Sequence, residues 1–281
     1  MIHIKHLIFL SLLLLSACSE PQESPVTSQE EKVTKPFSIG ETIELASTTL
    51  GENRVLNIYL PLSYSQDSAK TYPVIYLLDG SADEDFIHIA GLVQFGSFSW
   101  IEMLPESIVV GIANVDRKRD FTYPSNNEQD VKDFPTTGHS EAFIHFIEQE
   151  LQPYITEMYR TSKERTIIGQ SLGGLLATEI LFKRPELFDN YIIVSPSLWW
   201  DDESLLGFEP VSYIAPKSIY IAVGKEGPIM ERVAKELYDK LEVSKTDNTK
   251  LHYAFFEKQN HGDALHLAVY DAFEQIFKKQ D

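Results

Sequence analysis

Residues 166–174 read TIIGQSLGG, and the rest of the fold can be worked outward from that stretch. The β-branched residues 166–168 suit the end of a strand. The run LGGLLATEILFK from Leu172 has the apolar periodicity of a helix. Between them lies G-x-S-x-G, a strand-to-helix turn so tight that side chains at Gly169 and Gly173 would collide with neighbouring backbone. Such a turn forces Ser171 into a strained conformation and exposes its Oγ above the sheet. The N–H groups that open the next helix then point at any negative charge developing there. The pattern alone is a weak signal, and its setting between strand and helix gives it meaning.

Further short apolar runs flank this turn at residues 74–78, 108–112, 191–194, 218–223 and 251–256. Runs apolar on both faces suit parallel strands covered on both sides. Helical stripes fill the spaces between them, at 141–154, 172–182, 229–241 and 264–277. Upstream, residues 42–49 and 54–60 alternate or are rich in β-branched side chains, with Gly51, Glu52 and Asn53 between them, and read as an antiparallel hairpin. A hairpin followed by strand–helix alternation predicts one α/β domain over residues 37–281, with a mostly parallel sheet and helices on both faces. Its site is expected at the carboxyl ends of the strands.

A serine hydroxyl needs a base to become a nucleophile. In sheets carrying this turn an acid and then a histidine follow the serine along the chain. Three histidines lie beyond Ser171: His252 in an apolar run, His266 in a helical stripe, and His261 in the loop KQNHGD. His261 is the expected base, because a loop at the strand ends can reach over to Ser171. The acid belongs after the strand 218–223, where Glu226 is the expectation and Glu231 or a Ser–His dyad with no acid the alternatives. An oxyanion needs two donors. Leu172 supplies one N–H, and the second comes from the loop after residues 74–78, at Ser81 or Gly80.

Five stretches carry a resemblance to a known family: YPVIYLLDG (72–80), NVDRKRDFTYP (114–124), IIGQSLGG (167–174), VSPSLWW (194–200) and QNHG (259–262). Together they resemble the esterase D and ferric-enterobactin esterase group of α/β-hydrolases, from about residue 40 to the end. The resemblance implies an α/β-hydrolase fold and a serine carboxylic-ester hydrolase that forms an acyl-enzyme and needs no metal or other cofactor. It implies Ser171 as nucleophile, His261 as base, and Leu172 and Ser81 as oxyanion donors. The stretch around Glu226 is similar to the siderophore-esterase pattern, whereas a mycolyltransferase-like placement favours Glu231. The implied substrate is a small ester, foremost a siderophore trilactone. The alternatives are feruloyl or acetyl esters of polysaccharides, acyl transfer of the antigen 85 type, and a non-catalytic binding protein on the same fold.

The chain of 281 residues carries 24 Lys and Arg against 42 Asp and Glu, a net charge of −18. So acidic a surface repels phosphate backbones, which argues against nucleic acid as a partner. Against that background Arg117, Lys118 and Arg119 form a local positive cluster, and Arg117 and Arg119 are candidates for holding an anionic substrate. Trp199, with Trp200, and Phe95, Phe98 and Trp100 are candidates for an aromatic pocket. The lone cysteine excludes an internal disulfide or a multi-cysteine metal site. That cysteine, Cys18, ends a basic start, an apolar run at 7–15 and the small residues Ser16 and Ala17. Residues 1–17 therefore read as a lipoprotein signal peptide with Cys18 as the lipidation site. Residues 18–36, rich in Ser, Pro and Glu, read as a flexible tether. The expected location is the bacterial cell envelope, with membrane contact through the lipid anchor. Ser19 after the cysteine points to the outer rather than the inner membrane.

Overall fold

The apolar runs pair into one eight-stranded sheet in a computed structural model whose described residues are 34–278. In chain order the strands are β1 (Glu41–Ser47), β2 (Glu52–Tyr59), β3 (Tyr72–Leu77), β4 (Ile108–Ile112), β5 (Thr161–Gln170), β6 (Asn190–Val194), β7 (Lys217–Gly224) and β8 (Thr249–Phe256). In space they run β1-β2-β4-β3-β5-β6-β7-β8. The pairs β1–β2 and β2–β4 are antiparallel, and every other neighbouring pair is parallel. The expected hairpin and mostly parallel sheet are both present, in a unit that begins at Ser38. The signal peptide, Cys18 and nearly all of the tether lie outside the described residues.

Nine helices cover the sheet among the described residues: α1 (Phe86–Gly96), α2 (Arg117–Phe121), α3 (Glu128–Asp133), α4 (Ser140–Phe146), α5 (Gln152–Met158), α6 (Leu172–Lys183), α7 (Trp200–Gly207), α8 (Pro228–Ser244) and α9 (Ala264–Phe277). Side chains of α4, α5, α6 and α8 pack with one face of the sheet, around Ile167, Ile193 and Ile221. Side chains of α1 and α9 pack with the other, around Ile75, Val109 and Ile192. This two-sided cover explains why strands such as β4 and β6 are apolar at nearly every position. None of the described helices is long and apolar enough to cross a membrane.

Strand order reverses between β3 and β5. From β3 the chain crosses through α1 to β4 on one side, and from β5 it crosses through α6 to β6 on the other. The connections leaving β3 and β5 therefore part company, and a crevice opens at their carboxyl ends. Ser171 and the loop after β3 stand there.

The helical stripe at 141–154 is broken into α4, a π-helical segment at Ile147–Leu151, and α5. Pro153 accounts for the break, since it lacks an N–H and its ring crowds the carbonyl one turn back. The wider turn presents Glu150 to the tip of the β1–β2 hairpin, where it accepts five hydrogen bonds from Ser47, Thr48 and Thr49. Burial opposes its charge, but these donors prevail and hold the carboxyl down to about 2. Glu150→Ala is expected to destabilise the protein by about 1–2 kcal/mol in urea unfolding at neutral pH. The carboxyl's folded-state pKa is depressed, so its contribution is present above the ordinary carboxylate pKa and lost as the pH falls from there toward 2. The difference between variant and wild type should therefore shrink across that acid range. A constant difference would mean that the charge of Glu150 contributes nothing.

Candidate active site

Ser171 stands between β5 and α6 at φ +59°, ψ −120°, outside the regions open to most side chains. Close packing forces this turn. A Cβ at Gly169 would sit 2.3 Å from the Gly173 carbonyl oxygen. The Ser171 N–H donates to the Val194 carbonyl (3.0 Å) and its own carbonyl accepts from the Ser197 N–H (3.0 Å), so the turn is stitched to the end of β6. Leu172 is the first residue of α6, where N–H groups have no partner within the helix.

His261 lies in the loop between β8 and α9, as expected. The loop is tied to its neighbours, with the Lys225 N–H donating to the Gln259 carbonyl (2.6 Å) and Gln170 Nε2 to the His261 carbonyl (2.6 Å). The ring is half exposed, and its Nδ1 lies 2.5 Å from Glu226 Oε2. A carboxylate only accepts, so Nδ1 carries the proton and Nε2 is left as the free acceptor.

The Glu226 side chain is only 2% exposed. Its second oxygen, Oε1, accepts from Ser195 Oγ (2.5 Å) and from the Gly224 N–H (2.9 Å). Burial disfavours the charge, but the hydrogen bonds from His261, Ser195 and Gly224 outweigh it and keep the carboxyl below its usual pKa. Glu231 has a different occupation. Its Oε1 accepts from the N–H groups of Glu226 (3.0 Å) and Gly227 (2.9 Å), closing off the amino end of α8.

Ser171, His261 and Glu226 share a cleft of about 530 Å³ with Ser197, Trp199, Lys225, Met230 and Asn260. The Ser171 Oγ turns toward Ser197 Oγ (3.3 Å) rather than toward His261. Catalytic hydrogen bonds are often loose in a substrate-free site. In the loop after β3, the Gly80 N–H is taken by the Ile112 carbonyl (3.0 Å), so the N–H of Ser81 is the loop's remaining donor candidate. Gly80 packs so closely on β4 that a Cβ there would meet the Gly111 Cα at 2.3 Å.

The expectations for the arginines and for one aromatic group need correction. Arg117 makes a two-pronged ion pair with Asp79 (2.6 and 2.8 Å) and donates to the Gln170 carbonyl. Arg119 is taken up by Glu52 and Asp120. Neither guanidinium is an unpaired positive charge, because acidic partners distant in sequence, Asp79 and Glu52, fold against them. Phe95 lies in the last turn of α1, and Phe98 and Trp100 follow it toward β4, so all three lie by the amino ends of the strands, opposite the cleft. Trp199 lines the cleft as expected. Sequence reasoning missed Ser195, Ser197, Met230 and Asn260. The serines carried a signal, an S-P-S turn directly after an apolar strand. Among the described residues no group of three or more His, Cys, Asp or Glu is arranged to hold a metal ion.

The sequence profile of the Esterase family matches residues 47–270. The chain belongs to that family. This esterase is 29% identical over 257 residues to the ferri-bacillibactin esterase BesA of Bacillus subtilis, an alignment covering 83% of this chain and 88% of that protein. It is 32% identical over 221 residues to a siderophore triacetylfusarinine C esterase of Aspergillus fumigatus, covering 73% and 74%. Among solved structures, an IroE-like serine hydrolase from Shewanella oneidensis superposes with a TM-score of 0.76 at 29% identity, covering 86% of this chain and 82% of that one. The BES protein from Bacillus cereus gives the same TM-score at 28% identity, covering 88% and 98%. The fold is that of the esterase α/β-hydrolases, and the protein is an ester-cleaving enzyme.

Proposed function

We propose that this esterase hydrolyses the ester bonds of siderophores through a Ser171–His261–Glu226 triad. The observation that carries the triad is the 2.5 Å contact between His261 and a buried Glu226, in the same cleft as a strained Ser171. In the proposed reaction Ser171 Oγ attacks the ester carbonyl while His261 Nε2 takes its proton. Glu226 fixes the ring and stabilises the imidazolium. The N–H groups of Leu172 and Ser81 hold the tetrahedral oxyanion. The imidazolium then returns its proton to the leaving alcohol, which departs and leaves an acyl-enzyme. Water, activated by the same histidine, releases the acid and restores the serine.

The substrate class rests on the relatives, two of which are named for the siderophores they act on. The cleft is consistent with that class, with Trp199 offering an aromatic face and Lys225 a positive charge. We also place the enzyme in the cell envelope, anchored through a lipid on Cys18, a reading that rests on the sequence pattern at 1–18. The test is a panel containing a ferric catecholate trilactone, a feruloyl sugar and p-nitrophenyl acetate. The trilactone should lead in kcat/KM by about a hundredfold. A lead for the feruloyl sugar would assign the enzyme to polysaccharide esters instead.

A further inference from the structure

We infer that Ser195 is a positioning residue of this active site, holding Glu226 in place for His261 through its hydroxyl. The inference rests on the triad reading above and assigns a part to a residue outside it. Ser195 follows β6 directly and is fully buried. Its Oγ donates to Glu226 Oε1 at 2.5 Å, on the carboxylate oxygen that does not face His261. One oxygen of Glu226 is therefore fixed by Ser195 and the Gly224 N–H, and the other is presented to the ring.

The backbone supplies the second observation. Ser195 sits at φ +45°, where glycine is comfortable and other residues are strained. A glycine here would satisfy the turn more easily, so the side chain, not the turn, accounts for the serine. Three neighbours maintain the conformation. The Ser195 N–H donates to the Ala222 carbonyl (2.7 Å), Pro196 follows, and the Ser197 N–H holds the Ser171 carbonyl (3.0 Å). The residues 195–197 thus join the acid's anchor to the nucleophile's turn. The titratable and charged groups around the carboxylate are His261 across the cleft, Lys225 beside it in the chain, and Glu231 bound to its own N–H.

Two variants separate the hydroxyl from the strain. Ser195→Ala removes the hydroxyl and keeps a Cβ at positive φ, whereas Ser195→Gly removes the hydroxyl and relieves the backbone. Both should lower kcat/KM about tenfold to a hundredfold, while only Ser195→Ala stays strained in thermal unfolding. With one donor fewer, the Glu226–His261 pair binds a proton more tightly, so the acid limb of the kcat/KM profile should move to higher pH. Wild-type kcat/KM and pH profile in Ser195→Gly would overturn the inference, even if Ser195→Ala is damaged or fails to fold. Glu226→Gln is the control beneath it. Loss of activity there with Ser195→Gly intact refutes only the part assigned to Ser195, whereas full activity in Glu226→Gln refutes the triad and this inference with it.

Discussion

Ser171→Ala is expected to lower kcat/KM by about 10⁴-fold or more, with thermal stability nearly unchanged. The size follows from what the hydroxyl does. With no Oγ there is no acyl-enzyme, and only the oxyanion donors and the binding cleft remain to help a water attack directly. The small effect on stability follows from its surroundings. The Oγ makes one 3.3 Å contact, with Ser197, while the turn itself is held by backbone hydrogen bonds and by the packing of Gly169 on Gly173. His261→Ala should cost a similar amount, and the double variant little more than either single one, because the two residues act as one unit. The measurements are steady-state kinetics on the preferred ester and fluorophosphonate labelling, which should vanish in Ser171→Ala. More than a few per cent of wild-type turnover in a contamination-free preparation would remove Ser171 from the nucleophile's position.

The second large effect concerns stability and lies at the cluster first read as a substrate anchor. Asp120 is 1% exposed and accepts from Arg54 Nη2 (2.6 Å) and Arg119 Nε (2.8 Å). Arg54 is equally buried, lies over the Phe143 ring, and already has one nitrogen, Nε, without a partner. Asp120→Ala would leave that guanidinium buried with only Glu52 for company. Removing one partner of a buried ion pair costs about 3–5 kcal/mol. For a chain of this size that is a fall in melting temperature of roughly 10 °C. Asp120→Asn keeps the shape and an acceptor, and should lose clearly less. Arg119→Ala should also lower the melting temperature while leaving KM for the preferred ester unchanged. A raised KM with unaltered melting would return Arg119 to the substrate.

Those arginines show where reading a sequence stops. The run RKRDF carries one acid of its own, Asp120, but its other partners Glu52 and Asp79 reach it only after β2 and β3 come to lie beside β4. Neutralisation by residues distant in the chain has no local signature. Ser195 was hidden for a similar reason, since its partner lies 31 positions away. The strands, by contrast, were legible because burial on both faces leaves an uninterrupted apolar run. The turn at Ser171 was legible because the motif sits between a strand and a helix and close packing demands the glycine at 169; at Gly173 the expected collision with backbone is not found, since a Cβ there would meet only side chains, at 3.4 Å. Helix α1 was not, because Gly91 and Gly96 interrupt its apolar stripe. The position of His261 could be inferred from chain order together with its loop between the last apolar run and the last helical stripe, whereas the choice of Glu226 over Glu231 needed the geometry at the start of α8.

The division of the helices between the two faces of the sheet has a mechanical consequence. The segments carrying Ser171 and Glu226 lead into α6 and α8, which are bedded on one face. The segments carrying Ser81 and His261 lead into α1 and α9, bedded together on the other, where His88 and His266 touch at 2.9 Å. The site is therefore assembled like a pair of jaws, with two members footed in each layer and the sheet as the rigid plate between. Its alignment is set by the distance between layers, so a core substitution far from the cleft that thickens or thins one layer shifts one jaw against the other before any strand lets go.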